Sequence, residues 1–226
     1  MTSELVDAIA KYIRERFSHV TLHGLSGRSD LNGLAADVIG PLDEKSGRVP
    51  VCVRSTNESI KARPKNVFES GLDQLPHVLE LGAGNGVLAY CLTSALHGYA
   101  RVIAVDDLSE SMPRLFGEDV ERLDSEEAVA TYEPDLVLCS WMPAGVDWTA
   151  ACRRCKSVQA YLLLGDPSSC GDGARTWDQP PEADFERVEL PDVSQWLLCR
   201  VDSAAARGFS RAVEFGRRRD ADRDNA

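Results

Sequence analysis

Between residues 78 and 107 an apolar run, Val78-Leu79-Glu80-Leu81, breaks into Gly82-Ala83-Gly84-Asn85-Gly86, and a second apolar run, Val102–Val105, closes on Asp106-Asp107. A strand that enters a glycine turn, then a helix, then a strand ending in a carboxylate frames a nucleotide crevice in a doubly wound α/β sheet. The glycine spacing narrows the choice. Dinucleotide folds use G-x-G-x-x-G, but here Val87 stands at the third glycine position and Gly86 precedes it, giving G-x-G-x-G. Strand one is expected over His77–Leu81, its helix over Gly86–His97, and strand two over Arg101–Val105.

This stretch resembles the first motif of class I S-adenosylmethionine-dependent methyltransferases, an acidic residue followed by an apolar residue and G-x-G-x-G, here Glu80 through Gly86. Asp106 matches the acidic residue that closes the family's second strand, and Asp107 to Met112 looks like its D-x-S-x-x-M. The similarity covers roughly residues 70 to 202. It implies an α/β fold: a seven-stranded Rossmann-like sheet with a closing antiparallel hairpin, and S-adenosyl-L-methionine as cofactor. It says little about the methyl acceptor.

The resemblance assigns site residues one by one. Gly82, Gly84 and Gly86, with Ala83 and Asn85 between them, let the backbone approach a ligand where a Cβ would clash. Glu80 is placed for the cationic methionine end; without the motif it reads as an ordinary strand-end carboxylate. Asp106 is expected on the ribose hydroxyls, with Asp107 as competitor. Asp124, after the weak strand Val120–Leu123, stands where the family contacts the adenine amino group, and equally where a helix from Ser125 needs an N-cap. Ser140 ends strand four (Leu136–Ser140) and joins the cofactor set. The loop after it, Trp141-Met142-Pro143-Ala144-Gly145-Val146-Asp147-Trp148, is substrate-facing in this superfamily, so Ser140, Trp141 and Asp147 are the catalytic candidates. Amino-adenine and glutamine methyltransferases carry N/D-P-P-Y/F there, which Ser-Trp-Met-Pro replaces. Asp147 or Asp166 is placed to act as a general base, although Gly165-Asp166-Pro167 is equally a turn. Trp148 is expected in the core.

Elsewhere, residues 1–18 read as an amphipathic helix with Leu5, Val6, Ile9, Tyr12, Ile13 and Phe17 on one stripe. Residues 19–68 alternate short β-type runs with polar turns. Their Leu31-Asn32-Gly33, Gly47-Arg48-Val49 and Ile60-Lys61-Ala62-Arg63-Pro64-Lys65-Asn66 are similar to an SH3-like barrel module. The resemblance makes residues 69–206 the methyltransferase part, with 69–75 as linker and a helix expected near Pro113–Phe116. Helices follow at Ser125–Thr131 and Trp148–Cys155, strand five at Ala160–Leu164, and the closing pair at Phe185–Leu190 and Trp196–Val201. Residues 207–226, with Arg217-Arg218-Arg219 among aspartates, read as a solvated tail.

Composition bounds the rest. A net charge of −11 opposes non-specific attraction to nucleic acid or anionic membrane, which favours a protein acceptor over nucleic acid or a metabolite. No apolar run reaches the length of a membrane span. Seven scattered cysteines, several in apolar stretches, fit a reducing compartment, cytoplasm or nucleus. Cys152-x-x-Cys155 is a lone pair with no second pair or histidine cluster, so no metal is expected. Two other functions stay open: a non-catalytic binding module using the barrel as its partner surface, and a nicotinamide-dependent oxidoreductase, which the glycine spacing disfavours.

Overall fold

The computed structural model describes residues 1–68, 75–107, 120–178, 184–198 and 210–218. The chain divides into two compact units, one of Met1–Ala8, His77–Cys91 and Val102–Ala226, the other of Ile9–Pro76 and Leu92–Arg101. Helix α1 runs over Ser3–Arg16, with Leu5, Val6, Ile9, Ala10 and Ile13 buried.

The larger unit is built on a seven-stranded sheet. Its strands are β5 (His77–Leu81), β6 (Arg101–Asp106), β7 (Val120–Arg122), β8 (Leu136–Ser140), β9 (Ala160–Gly165), β10 (Phe185–Glu189) and β11 (Arg211–Arg217). They lie in the order β10-β11-β9-β8-β5-β6-β7. Every residue of β5 and β9 is buried, and all of β8 up to Ser140. Continuous apolar runs of this kind belong to strands covered on both faces. β5 pairs in parallel with β8, β8 with β9, and β6 with β7. The chain leaves β5 toward β6 on one side and returns to β8 on the other. That reversal opens a crevice at the carboxyl ends of β5 and β8, where α/β sheets bind ligands. Helices α2 (Val87–Ala95), α3 (Ser125–Tyr132), α4 (Thr149–Arg154), α5 (Ala174–Trp177) and α6 (Pro191–Ser194) join the strands.

The closing antiparallel pair differs from expectation. β10 pairs not with Trp196–Val201 but with β11, which also pairs antiparallel with β9. Pro191 opens the helical turn α6 instead of a strand. The Ser194 hydroxyl then donates to the Leu190 carbonyl and accepts from the Ala212 N–H, tying that turn to β11. Residues 211–217, read from sequence as solvated tail, are therefore a strand between two others. Ala212, Val213 and Phe215 are fully buried, and Phe215 stacks on Tyr161 with ring centroids 4.9 Å apart. Arg217 is no solvated charge either. Its guanidinium donates to the carbonyls of Val158, Cys155 and Arg153 and lies 4.4 Å over the Phe185 ring. It thereby satisfies carbonyls at the end of α4 that lack helical partners.

The smaller unit carries an antiparallel meander, β1 (His19–Thr21), β2 (Ala35–Val38), β3 (Val49–Val53) and β4 (Glu58–Ala62), paired in chain order. The motif residues tie its turns. The Asn32 amide both accepts from and donates to the Leu25 backbone, and the Asn66 side chain donates to His23. The linker residues 69–74, the expected helix at Pro113–Phe116, Leu108–Met112 of the D-x-S-x-x-M match and residues 199–201, 207–209 and 219–226 lie outside the described residues.

Phe215→Ala should cost about 3–5 kcal/mol in urea unfolding, as for a fully buried aromatic. A change within about 0.5 kcal/mol would return the segment to the solvated tail.

Candidate functional site

Glu80 sits in β5, an interior strand between β8 and β6, opposite Leu138 of β8 and only 2% exposed. Its burial is the main reason that the carboxyl is pushed up to about 8; a hydrogen bond from the Ala89 backbone opposes the shift and the charge of Asp106 adds to it. One of its oxygens, Oε2, is buried with no hydrogen-bond partner among the described residues. A buried polar atom left in that state costs on the order of 1–3 kcal/mol.

The glycine loop that follows is fastened to the end of β6. The Ala83 N–H donates to the Val105 carbonyl at 3.0 Å, and the Gly84 N–H donates to Asp106 Oδ2 at 2.8 Å. Two glycines are required for different reasons. Gly82 (φ 67°) lies against Trp148, whose indole would stand 2.2 Å from a Cβ at that position. Gly84 (φ 57°) faces open space, with nothing among the described residues within 4 Å of where its Cβ would be. Trp148 thus closes one side of the loop, as well as packing on the core, and Gly84 leaves the other side open.

At the end of β8 the Ser140 hydroxyl is a second buried polar atom with no partner among the described residues. Trp141 beside it has φ 48°, in the left-handed region that bulky side chains avoid. Such strain, about 1–3 kcal/mol, persists only where surrounding contacts enforce it, and it gathers at functional sites. Here the Trp141 N–H donates to the Leu164 carbonyl, the Gly145 N–H to Gly171, and the Gly171 N–H to Met142. Two loops, after β8 and after β9, are clamped together by these bonds.

Asp147 is engaged rather than free. It accepts from the Thr149 N–H and hydroxyl, opening α4, and pairs with Arg153 Nη2 at 3.1 Å. Asp166 is a turn residue, accepting from the Ser168 N–H and hydroxyl, both at 2.8 Å. Asp124 caps α3 through Oδ1, which accepts from the Glu126 and Glu127 N–H groups. It stands at the same sheet edge as Asp106, two residues past Arg122, the register partner of Asp106. Asp107 is exposed. Asn85 accepts from the Val87 N–H within the loop. No group of three His, Cys, Asp or Glu among the described residues has the arrangement of a metal site.

The structure therefore gathers Glu80, the Gly82–Gly86 loop, Asp106 and Ser140–Trp141 at one edge, with Asp124 at its margin. Sequence reasoning missed the contact of Trp148 with Gly82 and the Asp147–Arg153 pair. The second was signalled by Asp147-x-Thr149, since an aspartate before a helix start commonly accepts from the turn that follows.

No protein-family model matches the chain, and no curated protein matches it. Solved structures resemble it loosely. A DszA carbon methyltransferase aligns with a TM-score of 0.42 and 15% identity over 64% of this chain and 47% of that one. The present chain thus spans about half of that protein. A ribosomal protein L11 methylase from Lactobacillus delbrueckii subsp. bulgaricus gives 0.41 and 15%, over 67% and 74%. A putative methyltransferase from Thermoplasma acidophilum gives 0.42 and 12%, over 90% and 97%. At such scores the chemistry has to be read from the residues themselves.

Glu80 binds its proton more tightly in the folded chain than in the unfolded one, whose carboxyl titrates near 4.5. Its contribution is therefore complete below about 4.5 and is lost as pH rises toward about 8. In urea titrations at pH 5 and pH 8, Glu80→Gln should gain on the parent by on the order of a few kcal/mol at the higher pH. Parallel pH dependence of the two proteins would contradict the buried-acid assignment.

Proposed function

We propose that this chain is an S-adenosylmethionine-dependent methyltransferase whose cofactor lies at the carboxyl edge of β5, β6 and β8. The observation that carries this is Glu80, a buried carboxyl with an unpartnered oxygen beside an open, side-chain-free bend. A buried acid in this condition gains from an arriving cation, which supplies the missing partner and favours its ionised form. The ammonium of the methionine end is such a cation. Gly84 leaves room for the ligand to lie against the backbone. Asp106, aimed across the loop by its bond from Gly84, takes the ribose hydroxyls, with Asp107 next to it. Ser140 offers a hydroxyl with unused hydrogen-bonding capacity, and Asp124 keeps one oxygen beyond its capping bonds for the adenine amino group.

The bound cofactor supplies an electrophilic methyl on a sulfonium. The part left to the chain is to hold the acceptor in line with that methyl and to exclude water, and orientation alone supplies much of such a rate. Trp141, fixed by its strained backbone, is the positioning residue on the acceptor side. The meander of the smaller unit is read as an SH3-like packing module. A second reading, a non-catalytic cofactor-binding module, is favoured by the pairing of Asp147 with Arg153, which removes that carboxylate as a ready base.

Calorimetry with S-adenosylhomocysteine tests the proposal. Binding should be abolished in Gly84→Arg and weakened about 10- to 100-fold in Asp106→Ala, as for loss of a charged hydrogen-bond acceptor. Binding of NAD in its place would overturn it. Transfer of a labelled methyl group to any component of a cell extract separates the enzyme from the silent binder.

A further inference from the structure

The unit that holds Glu80 also contains a hollow of about 780 Å³, walled by Pro191, Trp196, Leu197, Leu198 and Arg211. Its volume falls within the roughly 300–1,000 Å³ of small-molecule sites. Its position in the sheet connects it to the candidate site. Arg211 is the register partner of Gly165, the last residue of β9. The Trp141 Cα lies 3.7 Å from where a Cβ on Gly165 would be, and the Trp141 N–H is bonded to Leu164. From Ser140 at the end of β8 to Arg211 at the start of β11 is two strand steps, about 10 Å at the usual spacing. The hollow thus opens at the same carboxyl edge as Glu80 and Ser140, on the side away from Asp106.

The lining defines what fits. Trp196 and Leu198 are large apolar side chains left 41% and 63% exposed. Exposed apolar surface gathered in one place marks a binding site. The charges around the hollow balance in number, with the carboxylates of Glu4 and Glu189 against the guanidiniums of Arg187 and Arg211. Glu189 pairs with Arg187, and Arg211 Nη1 lies 3.9 Å from the same carboxylate. The Ser194 hydroxyl is spent within the fold on Leu190 and Ala212. An indole and two leucines with compensated charge favour an uncharged, ring-bearing molecule over an ionic peptide or a nucleic acid backbone.

We propose that this hollow holds the methyl acceptor, and that the acceptor is a small, uncharged, largely apolar molecule with a ring stacked on Trp196 and a hydroxyl or amine directed toward Trp141. This rests on the methyltransferase reading and departs from the protein acceptor that net charge alone favours. In the transfer, a lone pair of the acceptor's oxygen or nitrogen bonds to the methyl carbon as the carbon–sulfur bond breaks. The bonding electrons return to sulfur, which becomes a neutral thioether, and the acceptor's proton leaves to solvent.

The test uses the full chain and N-phenyl-1-naphthylamine, a neutral aromatic fluorophore, with S-adenosylhomocysteine calorimetry on the same samples. The parent should give a saturable rise in fluorescence. Trp196→Ala and the surface variant Leu198→Asp should bind the probe about tenfold more weakly, the loss of part of an apolar contact. Both should bind S-adenosylhomocysteine as the parent does, which also shows that they fold. No saturable probe binding, or equal binding in parent and variants, with S-adenosylhomocysteine bound throughout, would overturn the acceptor hollow and leave the methyltransferase reading intact. Failure of the parent to bind S-adenosylhomocysteine would remove that reading and this proposal with it. In an extract supplied with labelled methyl donor, label in the solvent-extractable small-molecule fraction supports the proposal; label confined to protein or nucleic acid overturns it.

Discussion

A carboxyl group has been placed in a strand of this sheet that is buried from end to end. An acid in β5 either gives up its charge or finds a partner. Glu80 has a hydrogen bond from the Ala89 backbone but leaves Oε2 unsatisfied. The neighbouring structure is built around that position. The glycine loop is bonded to the end of β6 at Val105 and Asp106, so the open bend at Gly84 is held beside the acid rather than folded over it. Natural folds break local rules of this kind mainly where function requires it.

Across the sheet edge, the loop after β8 is held by a different set of bonds. Trp141 adopts a backbone conformation that its side chain disfavours, and the bonds to Leu164 and between Gly145, Gly171 and Met142 hold it there. Trp148 is set by contact with Gly82, so the glycine loop after β5 and the loop after β8 meet at one point. The Asp147–Arg153 pair is more buried than a surface ion pair, with side chains 17% and 13% exposed, and it anchors the start of α4.

The strands that frame the site were legible because burial on both faces leaves little ambiguity. His77–Leu81, Leu136–Ser140 and the run beginning at Ala160 read as apolar blocks, and the structure ends each within one residue of the expected position. β11 was not legible, because Ala212, Val213 and Phe215 alternate with Arg211, Glu214 and Arg217 and run into a charged tail. Its long-range partners, Tyr161 for Phe215 and three carbonyls for Arg217, leave no mark in the local sequence. Trp196-Leu197-Leu198 looked like a strand by composition, but Pro191 and the double hydrogen bond of Ser194 had already committed the preceding residues to a helical turn. Within the site, residue types were readable and their engagements were not. The sequence marks Asp106, Asp124 and Asp147 alike as acids at strand or loop ends. Only the folded structure shows that one accepts from the glycine loop, one caps a helix and one faces an arginine.

The central claim is that the acid in β5 stays neutral until a cation reaches it. Calorimetric titration of S-adenosylhomocysteine at pH 7, in two buffers of different ionisation heat, measures that directly as protons released per ligand bound. With Glu80 titrating near 8 in the empty site, the parent should release close to one proton (~0.9) and Glu80→Gln none. Binding by the parent without proton release, or with the same release in the variant, would contradict the account.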